Sequence, residues 1–283
     1  MRAYKWTKKE IIAHILMIII DLAILVPIYF LIITAFKPYN EIIRVPPTFW
    51  PQNFTLDNFF SFAALREVNL IRATINSLLI SVVVTAGTLF FSTLAGYAFA
   101  MLRFKFKEPI FIAILSKYMM PTALLLVPWY WIMRILGLVD NLIAVIIVNL
   151  IGAWTIYYMR SYISQIPTDY VESARIDGAS ELEIFMKIIM PLIKPAIGVA
   201  TIINFLWSWN YFLWPLIILN SPENFTMPIA IAYVRYLGYA GGELLNYGGI
   251  AASSLVYALP IVILYICLQR YLVESFISAG IKR

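Results

Sequence analysis

The chain has 283 residues, of which 62% are hydrophobic and 13% charged, with a mean hydropathy of +0.85. A soluble domain carries about 25% charged and roughly 45–50% apolar residues, so one water-soluble core is excluded and an all-α integral membrane protein is expected. The net charge of +6 does not point to nucleic acid, because the basic residues flank apolar runs rather than forming a stripe, and a lone cysteine, Cys267, excludes an internal disulfide or a Cys-rich zinc site.

A helix needs roughly 20 apolar residues to cross a bilayer. Six stretches qualify, at about 11–36, 70–101, 109–134, 141–163, 192–219 and 250–273, and the chain reads as one membrane domain over 1–283. The first is too long for a signal-peptide core and lacks a small-x-small cleavage site, so it is expected to be retained. It carries His14 near its start and Asp21 about ten residues in, roughly 15 Å along the helix. The following loop, 37–69, is rich in Pro, Asn and aromatics. The second stretch contains Asn76 and Ser77. The third contains Lys117, roughly 10 Å in, and the fourth contains Asn149. The fifth contains Asn204 and the run WSWNYFLWP (207–215). A loop with many glycines and tyrosines, 220–249, precedes the sixth, which contains Ser253, Ser254 and Cys267. In its apolar run Cys267 reads as inert packing or a lipid-facing residue.

Basic residues set the orientation. Fourteen Lys and Arg fall on the side of the two termini, the loop after the second stretch and the loop around 166–191; six fall opposite, among them Lys37, Arg44, Arg66 and Arg235. Both termini and the 166–191 loop are therefore expected in the cytoplasm, and the loops 37–69 and 220–249 outside.

The segment IPTDYVESARIDGASELEIFMKIIMPLIKP (166–195) concentrates charge in an otherwise greasy chain. It predicts two short helices. The first follows Pro167, with Thr168 as N-cap and Asp169 in the first turn, and ends near Asp177 at Gly178. The second starts at Ser180 in a capping box with Glu183. Leu182, Phe185, Met186 and Ile189 recur at helical spacing and predict one apolar face, and Glu183 and Lys187 an i, i+4 pair. Five acids, Asp169, Glu172, Asp177, Glu181 and Glu183, stand against Arg175 and Lys187. That balance suits a basic protein partner better than an anionic lipid surface.

Within it, Glu172-Ser173-Ala174, three residues, Gly178, nine residues, Ile188, one residue and Met190-Pro191 resemble the EAA loop of ABC importer permeases; Ser173 and Met190 are the departures. NSLL (76–79), AGYAFAMLRF (95–104), PTALLLVPWYWIMRILGLVDN (121–141) and FLWSWNYFLWPLIIL (205–219) are similar to the carbohydrate, MalG-type branch. The tail ISAGIKR departs from the glycine-rich ending of that branch.

The resemblance implies a type I ABC importer permease fold: six spans, a core of about 70–274 after an N-terminal span of about 11–36, and a coupling helix within 166–191. It implies contact of Glu172, Ser173, Ala174, Asp177, Gly178, Ile188 and Pro191 with a separate ATPase. Implied partners are ABC ATPase subunits, a second permease, an extracytoplasmic solute-binding protein, membrane lipid and a small carbohydrate. No cofactor is expected in this chain: no glycine precedes a lysine, so there is no P-loop, and ATP and Mg would belong to the ATPase. Asn76, Asn204, Trp207, Trp209 and Asn210 are the expected pathway residues, because indole faces suit sugar rings and the amides donate and accept. The alternative is an ion-coupled secondary transporter using Asp21 and Lys117. A membrane-embedded enzyme is a poor third reading, since one histidine and few intramembrane acids make no convergent cluster.

Overall fold

The computed structural model describes residues 7–63, 68–240 and 246–280. Arg2, Lys5, Arg66, Lys282 and Arg283 of the charge pattern, residues 241–245 of the second expected outward loop and the last three residues of the tail lie outside them. The described residues are helical with no strand and form two compact units: 1–70 with 231–259, and 71–230 with 260–283.

In the first unit, α1 (Lys8–Ala35) starts at a capping box: Glu10 N–H donates to the Thr7 hydroxyl, and the Glu10 carboxylate accepts from Thr7 N–H at 2.7 Å. None of its best 18-residue window is buried, so Asp21 is exposed and the face is left for lipid or protein. After α2 (Tyr39–Ile42), Glu41 organises the loop. Its carboxylate accepts from the Thr48 hydroxyl at 2.6 Å and from Gln52 and Asn53 N–H. The Thr48 hydrogen bond leads in holding its pKa below the usual carboxylate range. From α3 (Asp57–Ala63), Asn58 donates to the carbonyls of Ala35 and Lys37, and Ala35 packs with Ala251 and Ala252.

The second unit is built along α4 (Leu70–Met101). α5 (Lys107–Met119) stops where Met120 precedes Pro121, because a residue before proline is driven out of helical geometry; Met120 is extended. A single 3₁₀ turn leads to α6 (Leu126–Ile135), and the pair bends by 100°. The stretch expected to span at 141–163 is instead broken into α7 (Leu142–Ile147) and α8 (Ala153–Ile163). The charged connector contains α9 (Asp169–Ile176), α10 (Glu181–Ile184), a π turn at 185–189 and α11 (Met190–Leu192). α12 (Lys194–Trp209), α13 (Leu213–Ile218) and α14 (Met227–Ala240) follow, and α15 (Tyr247–Gly280) closes the chain.

Among the described residues four helical segments are long and apolar enough to cross a membrane, Lys8–Ala35, Leu70–Met101, Lys194–Ile218 and Tyr247–Tyr271, and the bent α5–α6 pair makes a fifth. The sixth expected crossing, at 141–163, is the broken one. Hydropathy sums apolar content and is blind to this interruption.

Candidate functional site

The connector between α8 and α12 is locally determined. α9 ends in a Schellman turn: Gly178 N–H donates to Arg175 O and Ala179 N–H to Ala174 O, with Gly178 at φ +84°. The capping box expected at the next helix is present, Ser180 accepting from Glu183 N–H and Glu183 from Ser180 N–H. Lys187 donates to Glu183 at 3.0 Å. That bond first, with the two from Ser180, pulls the Glu183 carboxyl down to about 2. Thr168 occupies the N-cap of α9 but makes no capping hydrogen bond, correcting the expectation placed on it.

The apolar face differs from the expected one. Phe185 and Ile189 are buried with Ile184 and Ile193, whereas Leu182 and Met186 are exposed. The π turn explains this, since one extra residue per turn shifts the phase of the face. Leu182 and Met186 therefore join Tyr170 and Ile176 (86% exposed) as apolar side chains displayed outward among the acids.

Beneath this surface the connector is latched to α4. Tyr97 donates its hydroxyl to Glu181 Oε2 at 2.6 Å, and Arg175 Nε donates to Glu181 Oε1 at 2.6 Å. The hydrogen bond from Arg175, ahead of the one from Tyr97, keeps the Glu181 carboxyl below its ordinary range. Glu172 is exposed and lines a cleft with Arg103, Lys107, Thr168 and Arg175. Ser173 and Asp177 are exposed, Ala174 and Ile188 pack against the core beneath, and Pro191 is exposed.

A second site lies within the helices. A cavity of about 330 Å³ collects the places where helices are interrupted. Met120 and Thr122 reach it from the α5–α6 bend, Val148, Asn149, Ile151 and Gly152 from the α7–α8 break, and Tyr211 from the α12–α13 break. Non-helical backbone at membrane depth is tolerated only where protein buries it or it lines a water-filled cavity. Here α4 supplies part of the cover: Thr88 donates to Asn149 O at 2.9 Å, and the Ser92 hydroxyl accepts from Gly152 N–H at 3.3 Å.

Of the expected pathway residues, Asn204 and Trp207 line this cavity and Asn76, Trp209 and Asn210 do not. Asn204 accepts from the Thr155 hydroxyl at 3.1 Å and donates to Ala200 O. Trp207 stacks on Tyr211 with centroids 4.5 Å apart. Asn76 is buried and clamps a loop, donating to Glu223 O and Phe225 O. Trp209 is buried and stacked on Phe205, and Asn210 donates to Leu206 O. Sequence reasoning missed Trp129, Trp154 and Thr155, which also line the cavity, as does Tyr211 of the WSWNYFLWP run. The available signal was Gly152 inside a supposed span, a mark of a break or a close approach.

At the opposite end of the second unit, Asp140 (φ +60°) accepts from Asn220 and Ser221 N–H and from the Ser221 hydroxyl. Burial disfavours its charge, yet these hydrogen bonds win and bring its pKa to about 2.

Comparison with known proteins agrees with these features. The chain is 36% identical to the arabinooligosaccharides transport system permease protein AraQ of Halalkalibacterium halodurans, over 90% of each chain. It is 32% identical to the lactose transport system permease protein LacG of Rhizobium radiobacter, over 89% of each. A solved chain of a bacterial ABC transporter involved in the import of alginate superposes with a TM-score of 0.83 at 21% identity, covering 95% of this chain and 99% of that one, a likeness of fold. Residues 89–277 match the family described as binding-protein-dependent transport system inner membrane component. Broken helices around a cavity and a capped, latched connector are thus parts of a multi-pass membrane transport component, and the chain belongs to the binding-protein-dependent transport system inner membrane component family.

Proposed function

We propose that this chain is the permease subunit of a carbohydrate importer, with its 166–191 connector seated in a separate ATPase on the cytoplasmic side. The observation that carries the docking role is that Tyr170, Ile176, Leu182 and Met186 of the connector are all exposed, as is Glu172. A solvated connector has no reason to expose four large apolar side chains within so short a segment, whereas an interface needs an apolar centre with charges at its margin. Glu172 is the charged anchor: a charge-assisted hydrogen bond in a partly desolvated cleft contributes about 1.5–3 kcal/mol. The latch through Glu181 and Tyr97 then carries displacement of the connector directly into α4. No step of ATP chemistry belongs to this chain; ATP and Mg would be bound by the partner.

The carbohydrate reading is supported by relatives named for arabinooligosaccharides and lactose, and by a cavity that offers indole and phenol faces beside amides and hydroxyls. The same reading supplies an extracytoplasmic binding protein and a second permease as partners and places both termini in the cytoplasm. Family membership replaces the ion-coupled alternative; Asp21 is then an exposed residue of α1. The test is reconstitution with the ATPase subunits: Glu172→Lys should abolish ATP-driven sugar uptake while the protein stays in the membrane. Undiminished uptake would remove the docking role.

A further inference from the structure

We propose that the cavity beside the α5–α6 bend takes an acidic carbohydrate unit, with Lys117 pairing with its carboxylate or phosphate. This rests on the carbohydrate reading and narrows it. Lys117 stands ten residues along α5, roughly 15 Å from its first residue at about 1.5 Å per residue. Lys117 is exposed in the isolated chain, and within a membrane span an ammonium is costly unless paired or hydrated. Yet no acidic side chain lines the cavity, and no ion pair holds Lys117 among the described residues. The Tyr211 hydroxyl, on a residue lining the same cavity, is buried without a hydrogen-bond partner among the described residues.

A cation and an unmatched hydroxyl therefore share one space with Trp154, Trp207 and the Thr155–Asn204 pair. Each has a partner on an acidic sugar. The anion neutralises Lys117, a ring face lies on an indole, and ring hydroxyls exchange hydrogen bonds with Tyr211 and Asn204. A neutral sugar leaves the charge unanswered.

The experiment uses the complete importer in nanodiscs without its binding protein and follows tryptophan emission. Digalacturonate is titrated against digalactose, and glucose 6-phosphate against glucose, so that the two arms separate carboxylate from phosphate. Wild type should bind an acidic probe about tenfold more tightly than its neutral counterpart. Lys117→Gln should erase the difference without changing neutral affinity or Tm, and Lys117→Arg should keep most of it. No acidic preference in wild type in either arm, or a preference that survives Lys117→Gln, would overturn the proposal. So would equal weakening of both probes, which would assign Lys117 to the C-terminal turn of α5 or to a carboxylate of the partner permease. ATP-driven uptake of a labelled sugar panel, measured in parallel, reads the carbohydrate function independently: it can persist when the titrations show no charge preference.

Discussion

At Gly178 the constraint is conformational. A Cβ built there meets nothing within 4 Å, but φ is +84°, where a β-branched residue is strained. Gly178→Val should reduce uptake at least about tenfold with unchanged membrane abundance, and Gly178→Asn, which tolerates this region, should retain most activity; uptake with an immunoblot checks both. Neighbouring Glu183 gives a pH test. Its folded pKa lies below the ordinary 4.5, at about 2, so its contribution to connector order is complete above pH 4.5 and disappears as acid carries it through the lower value. Amide exchange over 181–190 should stay slow down to pH 4.5, once corrected for intrinsic rates, and quicken below it. Ser180→Ala, losing the cap, should quicken it by about fivefold already at neutral pH. The capping box was legible in the sequence because both partners lie within four residues. The Tyr97–Glu181 hydrogen bond was not, since it joins residues far apart in the chain that only the packed fold brings together.

At the scale of elements, α4 and α8 approach through Gly96, where a Cβ would fall 2.7 Å from Met159 Cβ and 3.0 Å from Arg160 N. Backbone cannot yield as a flexible side chain can. Gly96→Leu should therefore destabilise the protein by about 1–3 kcal/mol, read as a lower Tm in detergent. Asn76 and Trp207 separate packing from passage. Asn76→Leu orphans two carbonyls and should lower Tm by breaking the clamp on the 223–225 loop. Trp207→Ala removes a half-exposed ring and should leave Tm nearly unchanged while altering solute affinity or uptake. The long apolar helices were legible because burial in lipid demands a continuous apolar run. Their interruptions were not, because Asn149, Gly152 and Pro121 read equally well as small faults in intact spans. Only the α4 hydroxyls that satisfy the freed backbone show the break at 148–152 to be built in.

For the whole molecule, composition was enough for membrane class, and the spacing around Glu172 for family, because both are properties of the unfolded string. The crossing count was not readable, since a sum of hydropathy cannot tell one bent or broken path from a straight one. The orientation gives a direct test in a Cys267→Ser background. A cysteine at Ser173 should react only with reagent on the cytoplasmic side and crosslink to the ATPase, and one at Asn53 should react only from outside. Labelling of position 173 from outside would invert the topology and end the coupling proposal.

The π turn at 185–189 has a consequence for how the connector faces its neighbour. A helix advances by about 100° per residue, so this one surplus residue sets the rotational phase of everything before it relative to the buried Ile189 and Ile193. Deleting Met186 would let the turn relax to ordinary pitch and change the angle at which Leu182 and the residues before it stand to Ile189 and Ile193, so that the loop presents a different side. Here recognition is a matter of angular register: a single-residue deletion distant from Glu172 should uncouple the pump as thoroughly as losing the charge itself.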